Sequence, residues 1–395
     1  MEKMTSRARL ITAMKKQIPD RVPVCPDISN MVPCRLTGKP FWNIYFYNDP
    51  PHWEAYLNAV KYFGMDGWFT PVRIKYNYEH EITTKTEIIS QTDSRLTVRR
   101  THFTPAGKLT DVTVYPAADS PSVVEKMVKD FEKDFPAFKY MLQIPQGYDS
   151  SVFEKQKAVI GDLGVTSISA YAPGLHSFVN QFEGGLEHVV YAMNDYPSRF
   201  DELIELSHYK AVAECKIAIA AGTDSVLTGG SGAITLSSPE IWRKQSLPSI
   251  KEITELCRKA GVISGVHTCG KEMEVVKACA FETDLDYINP LEIPPMGDCT
   301  LKKARDLIGN KLCLMGNLHT TDVMLNGSVN DVKRESLKAL LDCGINGAFV
   351  LSTGDQCGRD TPDDNIRVMI DTMNEFGQYP IDIERIKKEC VCLEN

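Results

Sequence analysis

Short apolar segments alternate along the chain with longer amphipathic ones, and this pattern predicts parallel strands joined by crossover helices. Eight strands are expected: Arg21–Pro26, Asp66–Pro71, Ala158–Asp162, Asp224–Gly229, Val262–His267, Asp286–Leu291, Leu312–Gly316 and Ala348–Ser352. Eight parallel strands are the number that closes a barrel. The expected fold class is therefore α/β, a (β/α)8 TIM barrel.

Two of the intervening segments carry clear helix signals. The segment Pro239–Ala260 follows two serines, whose hydroxyls cap free backbone amides, and proline suits a first helical turn. The segment Thr361–Phe376 likewise has Pro362 near its start. Both are predicted to be helices packed against the barrel.

One stretch interrupts the alternation. Residues from Tyr76 to about Tyr115 are rich in Thr, Val and Ile around a turn at Pro105-Ala106-Gly107, which indicates antiparallel hairpins inserted after the second strand. Ser120–Gln143 is predicted to return as a linker and helix. In a barrel, such an insertion lies at the face that carries the active site. We therefore expect one domain, residues 1–395, with a β cap over residues 76–143.

Composition and charge narrow the function classes. The net charge of −8 argues against a nucleic-acid or anionic-membrane partner, and the basic pair Arg99 and Arg100 is too small for either. The apolar run Leu10–Met14 is too short for a signal-peptide core or a membrane span. A cytoplasmic protein is expected.

Twelve cysteines are scattered along the chain rather than clustered, which favours a reducing compartment and mostly buried thiols. The pair Cys390 and Cys392, near a charged end, is most simply a pair of exposed thiols. No other group of ligands adjoins that pair in the sequence.

The chemistry is concentrated at two predicted strand ends. His267 and Cys269 lie two residues apart at the end of a strand, so their side chains point the same way. Cys357 follows the eighth strand in a turn-rich loop and can reach the same rim. One nitrogen and two sulfur ligands suit Zn²⁺ and leave its fourth position open. Spacing alone does not exclude ordinary buried cysteines.

Several motifs add a family resemblance. They are the opening run Arg7–Met14 with Pro19–Val24, Ser238-Pro239-Glu240 before a helix, Gly316-Asn317-Leu318 after a strand, and Asp360–Asn365 before the last helix. Over nearly the whole chain, and least in residues 76–143, the sequence resembles the uroporphyrinogen decarboxylase superfamily. Within it, the chain looks like the zinc-dependent corrinoid methyltransferases.

The resemblance implies a ligand set and an activity. The methyltransferases carry a His-x-Cys pair and a distant Cys as zinc ligands, and these match His267, Cys269 and Cys357. The decarboxylases carry an Arg-Gln-Ala-Gly-Arg run, whereas the corresponding Pro26–Arg35 segment lacks it. Porphyrin decarboxylation is therefore disfavoured, and Zn²⁺ is the expected metal.

Zinc has two roles in such enzymes: activating a thiol to accept a methyl group, or polarising the oxygen of a methyl ether. We favour the second, because an ether oxygen is a poor leaving group. The small methylated donor would then be an aryl methyl ether. No Asp-x-His-x-x-Gly run is present, so the corrinoid is expected on a separate partner protein. Thiol methylation, decarboxylation and a non-enzymatic binding protein remain alternatives.

Polar residues at predicted strand ends complete the candidate site. We assign catalytic roles to His319, Glu292 and Tyr171, where Glu292 or His319 completes the zinc shell or protonates a leaving phenolate. Cofactor contacts are assigned to Asp27, Asn289 and Asn317. Asp162 is also expected at this rim. The pocket or cap aromatics are taken from Trp42, Phe46, Tyr47, Trp68 and Phe69, although each alone is more typical of a core.

Overall fold

Seven parallel strands form one curved sheet in the computed structural model, which describes residues 2–394. In spatial order they are β1 (Gly67–Phe69), β8 (Gly164–Ser169), β9 (Ser225–Gly229), β10 (Ile263–His267), β11 (Tyr287–Asn289), β12 (Cys313–Leu318) and β13 (Phe349–Thr353). Spatial order follows chain order throughout. Helices connect most successive strands, so the arrangement is a TIM-like α/β fold.

The predicted first strand, Arg21–Pro26, contributes only a short bridge. Val24 pairs in parallel with Leu351 of β13, and the backbone N–H of Cys25 donates to the Leu351 carbonyl over 2.8 Å. On its other side the Val24 carbonyl accepts from the Asp66 N–H, just before β1, over 3.0 Å. This extended segment therefore joins the two edge strands of the parallel sheet.

One predicted strand is wrong. Residues 158–160 end helix α6 (Ser151–Ile160), and the strand is β8, a few residues later. Phe153, Gln156 and Ile160 are buried at helical spacing, so the apolar run belongs to a helix face rather than a strand. Gly161, at φ +51°, ends that helix in a conformation that favours glycine.

The remaining helices surround the parallel sheet. They are α1 (Ser6–Met14), α2 (Met31–Leu36), α3 (Phe41–Tyr45), α4 (His52–Phe63), α5 (Phe131–Phe138), α7 (Leu175–Phe178), α8 (Leu186–Asp195), α9 (Pro197–Ala220), α10 (Pro239–Gln245), α11 (Leu247–Ala260), α12 (Met273–Glu282), α13 (Leu301–Ile308), α14 (Val329–Ala339), α15 (Asp363–Phe376) and α16 (Ile383–Glu394). None of the described helices is both long and apolar enough to cross a membrane.

The helix predicted over Pro239–Ala260 is divided at Ser246 into α10 and α11. Pro248 lies in the first turn of α11, where its missing N–H and its ring are tolerated. The Ser246 hydroxyl donates to the Pro173 carbonyl over 2.6 Å and fixes the break against the loop after β8. The other predicted helix begins two residues late, at Asp363.

A four-stranded antiparallel sheet lies within the predicted insertion. Its strands are β3 (Thr83–Gln91), β4 (Arg95–Thr104), β5 (Gly107–Pro116) and β6 (Ser122–Glu125), in that spatial order. The predicted turn at 105–107 joins β4 to β5. A small pair, β2 (Lys75–Asn77) and β7 (Gly147–Asp149), flanks the insertion. Ser120–Gln143 holds a strand as well as the predicted helix.

The antiparallel sheet packs by apolar contacts on elements beside the parallel sheet. Leu96 and Val98 of β4 and Tyr115 of β5 pack with Trp42 of α3. Leu109 of β5 joins a second cluster that includes phenylalanines of α5 and α7. Strand β3 lies at one edge and is exposed along almost its whole length.

Helix α1 lies at the end of the parallel sheet where the strands begin. The Arg9 guanidinium pairs with Asp20 over 2.7 Å and with Asp66, just before β1, over 2.6 Å. Arg7 hydrogen-bonds Asp224, just before β9. Buried ion pairs thus fasten α1 to this end of the molecule, opposite the strand ends where the candidate site lies.

Candidate functional site

The carboxyl-terminal ends of β10, β11 and β13 bring a thiol and two carboxylates together. Cys269 follows β10 by two residues, Glu292 follows β11 by three, and Asp355 follows β13 by two. The Cys269 sulfur and one carboxylate oxygen each from Glu292 and Asp355 all lie within 4.8 Å of one another. We call these three residues the thiol–carboxylate cluster. Among residues 2–394, these three form the group of His, Cys, Asp or Glu side chains whose ligand atoms lie close enough together to hold one metal ion.

The electrostatics of the cluster are those of crowded negative groups. Burial raises the pKa of the Cys269 thiol to about 11, and the Asp355 and Glu292 carboxylates add to the rise. Burial also raises the pKa of Glu292, although the Gly270 N–H donates a hydrogen bond to its carboxylate. Neither carboxylate forms an ion pair with Lys or Arg in the described part of the chain. A divalent cation would neutralise this excess charge.

Asp355 was not among the residues assigned from the sequence. Its backbone has φ +121°, which an L side chain rarely adopts, and its carbonyl accepts the Thr353 hydroxyl over 2.7 Å. Its Oδ1 accepts the Gln356 N–H over 2.8 Å. The available signal was position: Asp355 follows Gly354 in the loop that carries Cys357. Strained backbone of this kind is concentrated at functional sites.

His267 lies next to the cluster at the last position of β10. Its Nε2 is 3.1 Å from the Ser231 hydroxyl, within hydrogen-bond distance. Burial raises the pKa of the Asp27 carboxyl, and His267 lies close enough to that carboxyl to offset part of the rise. The predicted ligand His267 therefore faces the same rim, but it is not one of the three groups within mutual 4.8 Å reach.

Cys357 is fully buried beside Asp27. Its N–H donates to the Asp27 carbonyl over 2.8 Å, and the Asp27 N–H donates to the Thr353 hydroxyl over 3.0 Å. Burial raises the pKa of the Cys357 thiol to about 12, and the Asp27 and Asp355 charges contribute. The loop after β13 is thus tied to the segment after Val24, and this tie places Cys357 near Asp355 and Asp27.

Two polar residues, one near the end of β12 and one just after it, were assigned from the sequence, and both are held by hydrogen bonds. Asn317 donates through Nδ2 to the Leu291 carbonyl over 3.0 Å, directly before Glu292. His319 accepts the N–H groups of Thr321 and Asp322 at Nδ1, over 3.2 and 2.9 Å. The His319 proton therefore resides on Nε2 in the neutral ring. Burial raises the pKa of Glu292, and His319 lies close enough to that carboxyl to offset part of the rise.

Two further polar groups are buried below the cluster. The Asn289 Oδ1, assigned from the sequence, has no hydrogen-bond partner among the described residues. Glu272, which was not assigned, accepts the Glu292 N–H through Oε2 over 3.1 Å. Its other carboxylate oxygen has no described partner, and burial raises the pKa of this carboxyl well above its usual range. Glu272 thus positions Glu292.

Tyr171 and Asp162 lie elsewhere. Tyr171 is 56% exposed and lines a cavity whose walls include no member of the cluster. Asp162 lies in the turn before β8, at the opposite end of that strand from the rim. Asp162 was predicted at the rim because residues 158–162 were predicted to be a strand. That prediction was wrong, since residues 158–160 belong to helix α6 and the strand begins only at Gly164.

The aromatic candidates are divided between core and surface. Trp68 and Phe69 are buried in the main core, where the Trp68 Nε1–H donates to the Tyr287 hydroxyl over 3.1 Å. Trp42 is buried against the antiparallel sheet with Phe46 beside it, and Tyr47 is about half exposed.

The twelve cysteines form no disulfide. Nine are buried, as the scattered spacing predicted. Of the terminal pair, Cys392 is exposed and Cys390 is partly buried against the core.

Comparison with known proteins gives both methyltransferase and decarboxylase relatives. The chain is 25% identical over 178 residues to a protein of Methanosarcina barkeri named methylcobamide:CoM methyltransferase MtaA, covering 45% of this chain and 49% of that protein. It is 26% identical over 161 residues to a uroporphyrinogen decarboxylase of Chlorobium luteolum, covering 40% of this chain and 43% of that protein. The chain thus spans less than half the length of these relatives.

A solved structure shares the fold. A methyltransferase from Methanosarcina mazei superposes with a TM-score of 0.64 over 95% of this chain and 99% of that one, at 17% sequence identity. The family model for uroporphyrinogen decarboxylase (URO-D) matches residues 178–376, about half of the chain. That match includes β9 to β13 and every member of the thiol–carboxylate cluster. The chain belongs to the uroporphyrinogen decarboxylase family.

Proposed function

We propose that this chain is a zinc-dependent methyltransferase that moves a methyl group between a small methylated compound and the cobalt of a corrinoid on a separate protein. The observation that carries this proposal is the thiol–carboxylate cluster at the ends of β10, β11 and β13. The names of the relatives, methylcobamide:CoM methyltransferase and methyltransferase, support the reaction class. We also propose that residues 76–143 cap a closed barrel in a single-domain cytoplasmic protein.

The residues present fit a zinc ion. Cys269 would supply a sulfur, His267 at the same strand end would supply a nitrogen, and Glu292 and Asp355 would supply oxygens, all of which zinc accepts. Cys357, the third ligand implied by the family resemblance, is buried beside Asp27 and Asp355. We propose His267, Cys269 and Cys357 as ligands, with Asp355 and Glu292 as competing or additional oxygen ligands.

The protein groups divide the remaining work. Zinc bound here would supply a Lewis acid that polarises the oxygen of a methyl ether. His319 carries its proton on Nε2, because Nδ1 accepts two backbone amides, and it can donate that proton to a departing phenolate. The unpartnered Asn289 Oδ1 is available to accept a hydrogen bond from a bound ligand. We propose an aryl methyl ether, bound between the zinc site and His319, as the favoured methyl donor.

The first experiment measures zinc in the purified protein and in four variants. We expect about one zinc per chain, lost in Cys269→Ala and Cys357→Ala and kept in Cys279→Ala, which removes a buried thiol of α12 outside the site. If zinc is lost in Asp355→Ala but retained in Cys357→Ala, the ligands are those of the thiol–carboxylate cluster and Cys357 is not one of them. Zinc-free protein, or zinc retained in all variants, would contradict the proposed site.

The second experiment tests the reaction on the zinc-loaded protein. Incubation with cob(I)alamin and an aryl methyl ether is expected to yield methylcobalamin and the phenol, and the Cys269→Ala variant is expected to yield neither. Adding the corrinoid protein is expected to raise the rate over free cob(I)alamin, since the partner positions the cobalt. Demethylation that does not respond to such a protein would remove the partner from the proposal.

A second candidate is methylation of a thiol by a methylcobamide. The name of the Methanosarcina barkeri relative, methylcobamide:CoM methyltransferase, favours this direction. It predicts that methylcobalamin and a thiol give a thioether while an aryl methyl ether is left intact. Release of CO2 from a porphyrin by zinc-free protein would instead identify a decarboxylase like the Chlorobium luteolum relative.

A further inference from the structure

The cavity that Tyr171 lines runs along helix α9, outside the thiol–carboxylate cluster. Its volume is about 430 Å³, within the range of sites that bind small organic molecules. One wall is apolar and comes from α5, the turn after it, and α7; it includes Phe138, Met141 and Phe178. The loop after β8 completes the cavity with Tyr171.

The opposite wall is polar although it faces the apolar wall across the cavity, and its Ser207, Lys210 and Glu214 side chains are only partly exposed. Ser207, Lys210, Ala211 and Glu214 lie at helical spacing on one face of α9, and all four line the cavity. A helix face turned toward a protein interior is ordinarily apolar. This polar face therefore calls for a polar occupant opposite it.

The two charged groups on this face are not paired with each other. Lys210 and Glu214 have no ion pair or hydrogen bond in the described part of the chain, although one helical turn separates them. Burial raises the pKa of Glu214, and the charge of Lys210 partly offsets that rise. Gln181 and Ser207, also in the walls, each have a buried oxygen without a described hydrogen-bond partner.

We propose that this cavity is a binding site for an apolar amino acid or its N-methylated derivative, a zwitterion whose ammonium faces Glu214 and whose carboxylate faces Lys210. The two protein charges have the signs and the one-turn separation that a zwitterion satisfies at once. The aromatic and thioether side chains of the opposite wall receive the apolar body, and N-methyl groups on the ammonium add apolar surface to that body. This site goes beyond the proposed methyl transfer.

Titration calorimetry on the full chain tests the site without zinc or corrinoid, so its outcome is independent of the methyltransferase proposal. The probes are N,N-dimethyl-L-phenylalanine, N,N-dimethylphenethylamine, which lacks the carboxylate, and 3-phenylpropanoate, which lacks the ammonium. We expect the zwitterion to bind at least about tenfold more tightly than either analogue, because each charge-assisted contact contributes on that scale. Equal affinity for all three probes, or no binding of the zwitterion, would overturn the proposal.

Variants locate the binding to this cavity. Glu214→Gln and Lys210→Met are each expected to weaken zwitterion binding at least about tenfold while the single-charge analogue that does not use the altered residue is affected little. Glu205→Gln, an exposed carboxylate earlier on α9, is the matched control and is expected to bind as the parent does. Circular dichroism confirms folding, and unchanged affinity in both cavity variants would place the binding elsewhere.

Discussion

Asp355 is the residue whose backbone and charge are hardest to explain without a ligand. It combines φ +121° with a carboxylate that adds to the rise which burial causes in the pKa values of Asp27, Cys269 and Glu292. Positive φ at a non-glycine residue costs on the order of 1–3 kcal/mol. Both features lower the stability of the protein in the absence of a bound cation.

Replacing Asp355 by glycine is therefore expected to stabilise the metal-free protein by about 1 kcal/mol or more. Glycine adopts φ +121° without strain and carries no charge. Urea unfolding of protein stripped with a chelator measures the change. Asp355→Asn is the matched control: it removes the charge but keeps the strain, and it is expected to gain less. A less stable Asp355→Gly variant would contradict the account of strain.

At the scale of single residues, the sequence predicted where the candidate site lies better than it predicted which residues form it. His267 and Cys269 lie at a strand end as expected, because their position follows from strand periodicity. Asp355 and Glu272 were missed because their roles depend on long-range contacts between loops. Asn317 and His319 were found through their place at the end of β12 and just after it, but their hydrogen bonds follow from loop conformation and cannot be read from spacing.

The segment between β11 and α13, which carries Glu292, is fastened to β12 by one side chain. Asn317 donates to the Leu291 carbonyl over 3.0 Å and to the Cys299 carbonyl over 3.5 Å, so a single amide holds both ends of the segment. Loops of functional sites are ordinarily the least stable parts of a fold. The position of Glu292 therefore depends on β12 as well as on its own strand.

Asn317→Ala is expected to lower the free energy of unfolding by about 1–2 kcal/mol, because buried carbonyls lose their donor. It is also expected to weaken zinc binding, since Glu292 loses its fixed place. Asn310→Ala serves as control: its amide donates to a single carbonyl, that of Asn346, at an exposed site. Denaturation and a competitive zinc titration measure both effects. Equal effects of the two variants would remove the special role of Asn317.

Element by element, the strands that are apolar and flanked by turns were predictable. The failure at residues 158–162 arose because a short apolar run is shared by strands and by buried helix faces. The division at Ser246 was missed because Pro239 already suits the first turn of a helix. The sequence therefore predicted one uninterrupted helix from that position. The hairpin at 105–107 was correct because its turn residues determine it locally.

For the molecule as a whole, the two ends of the parallel sheet have different tasks. One end carries the candidate site, and the other is closed by α1 through the pairs of Arg9 with Asp20 and Asp66, and of Arg7 with Asp224. Burial by itself would raise the pKa values of Asp20 and Asp224. The hydrogen bonds and charges of Arg9 and Arg7 outweigh it, so both pKa values lie below the usual range.

These lowered pKa values predict loss of stability in acid. A carboxyl with a folded-state pKa below its unfolded value stabilises the fold above the unfolded pKa, and this contribution is lost as pH falls through the folded pKa. Unfolding midpoints in urea are therefore expected to fall below about pH 4. In Asp20→Asn and Asp224→Asn, the midpoint is expected to be lower near neutrality and to depend less on pH. Parent-like steepness in both variants would assign the acid sensitivity to other carboxylates.

The exposed edge strand β3 has a consequence for how the protein behaves at high concentration. One side of β3 lacks a neighbouring strand among the described residues, and Ile88 and Ile89 are exposed on it. Such an edge invites pairing between molecules. The ion pair of Lys85 with Glu87, over 2.8 Å, and the irregular register after Ile88 interrupt a continuous edge. These two charges and the irregular register are therefore features of β3 that oppose pairing of this edge between molecules.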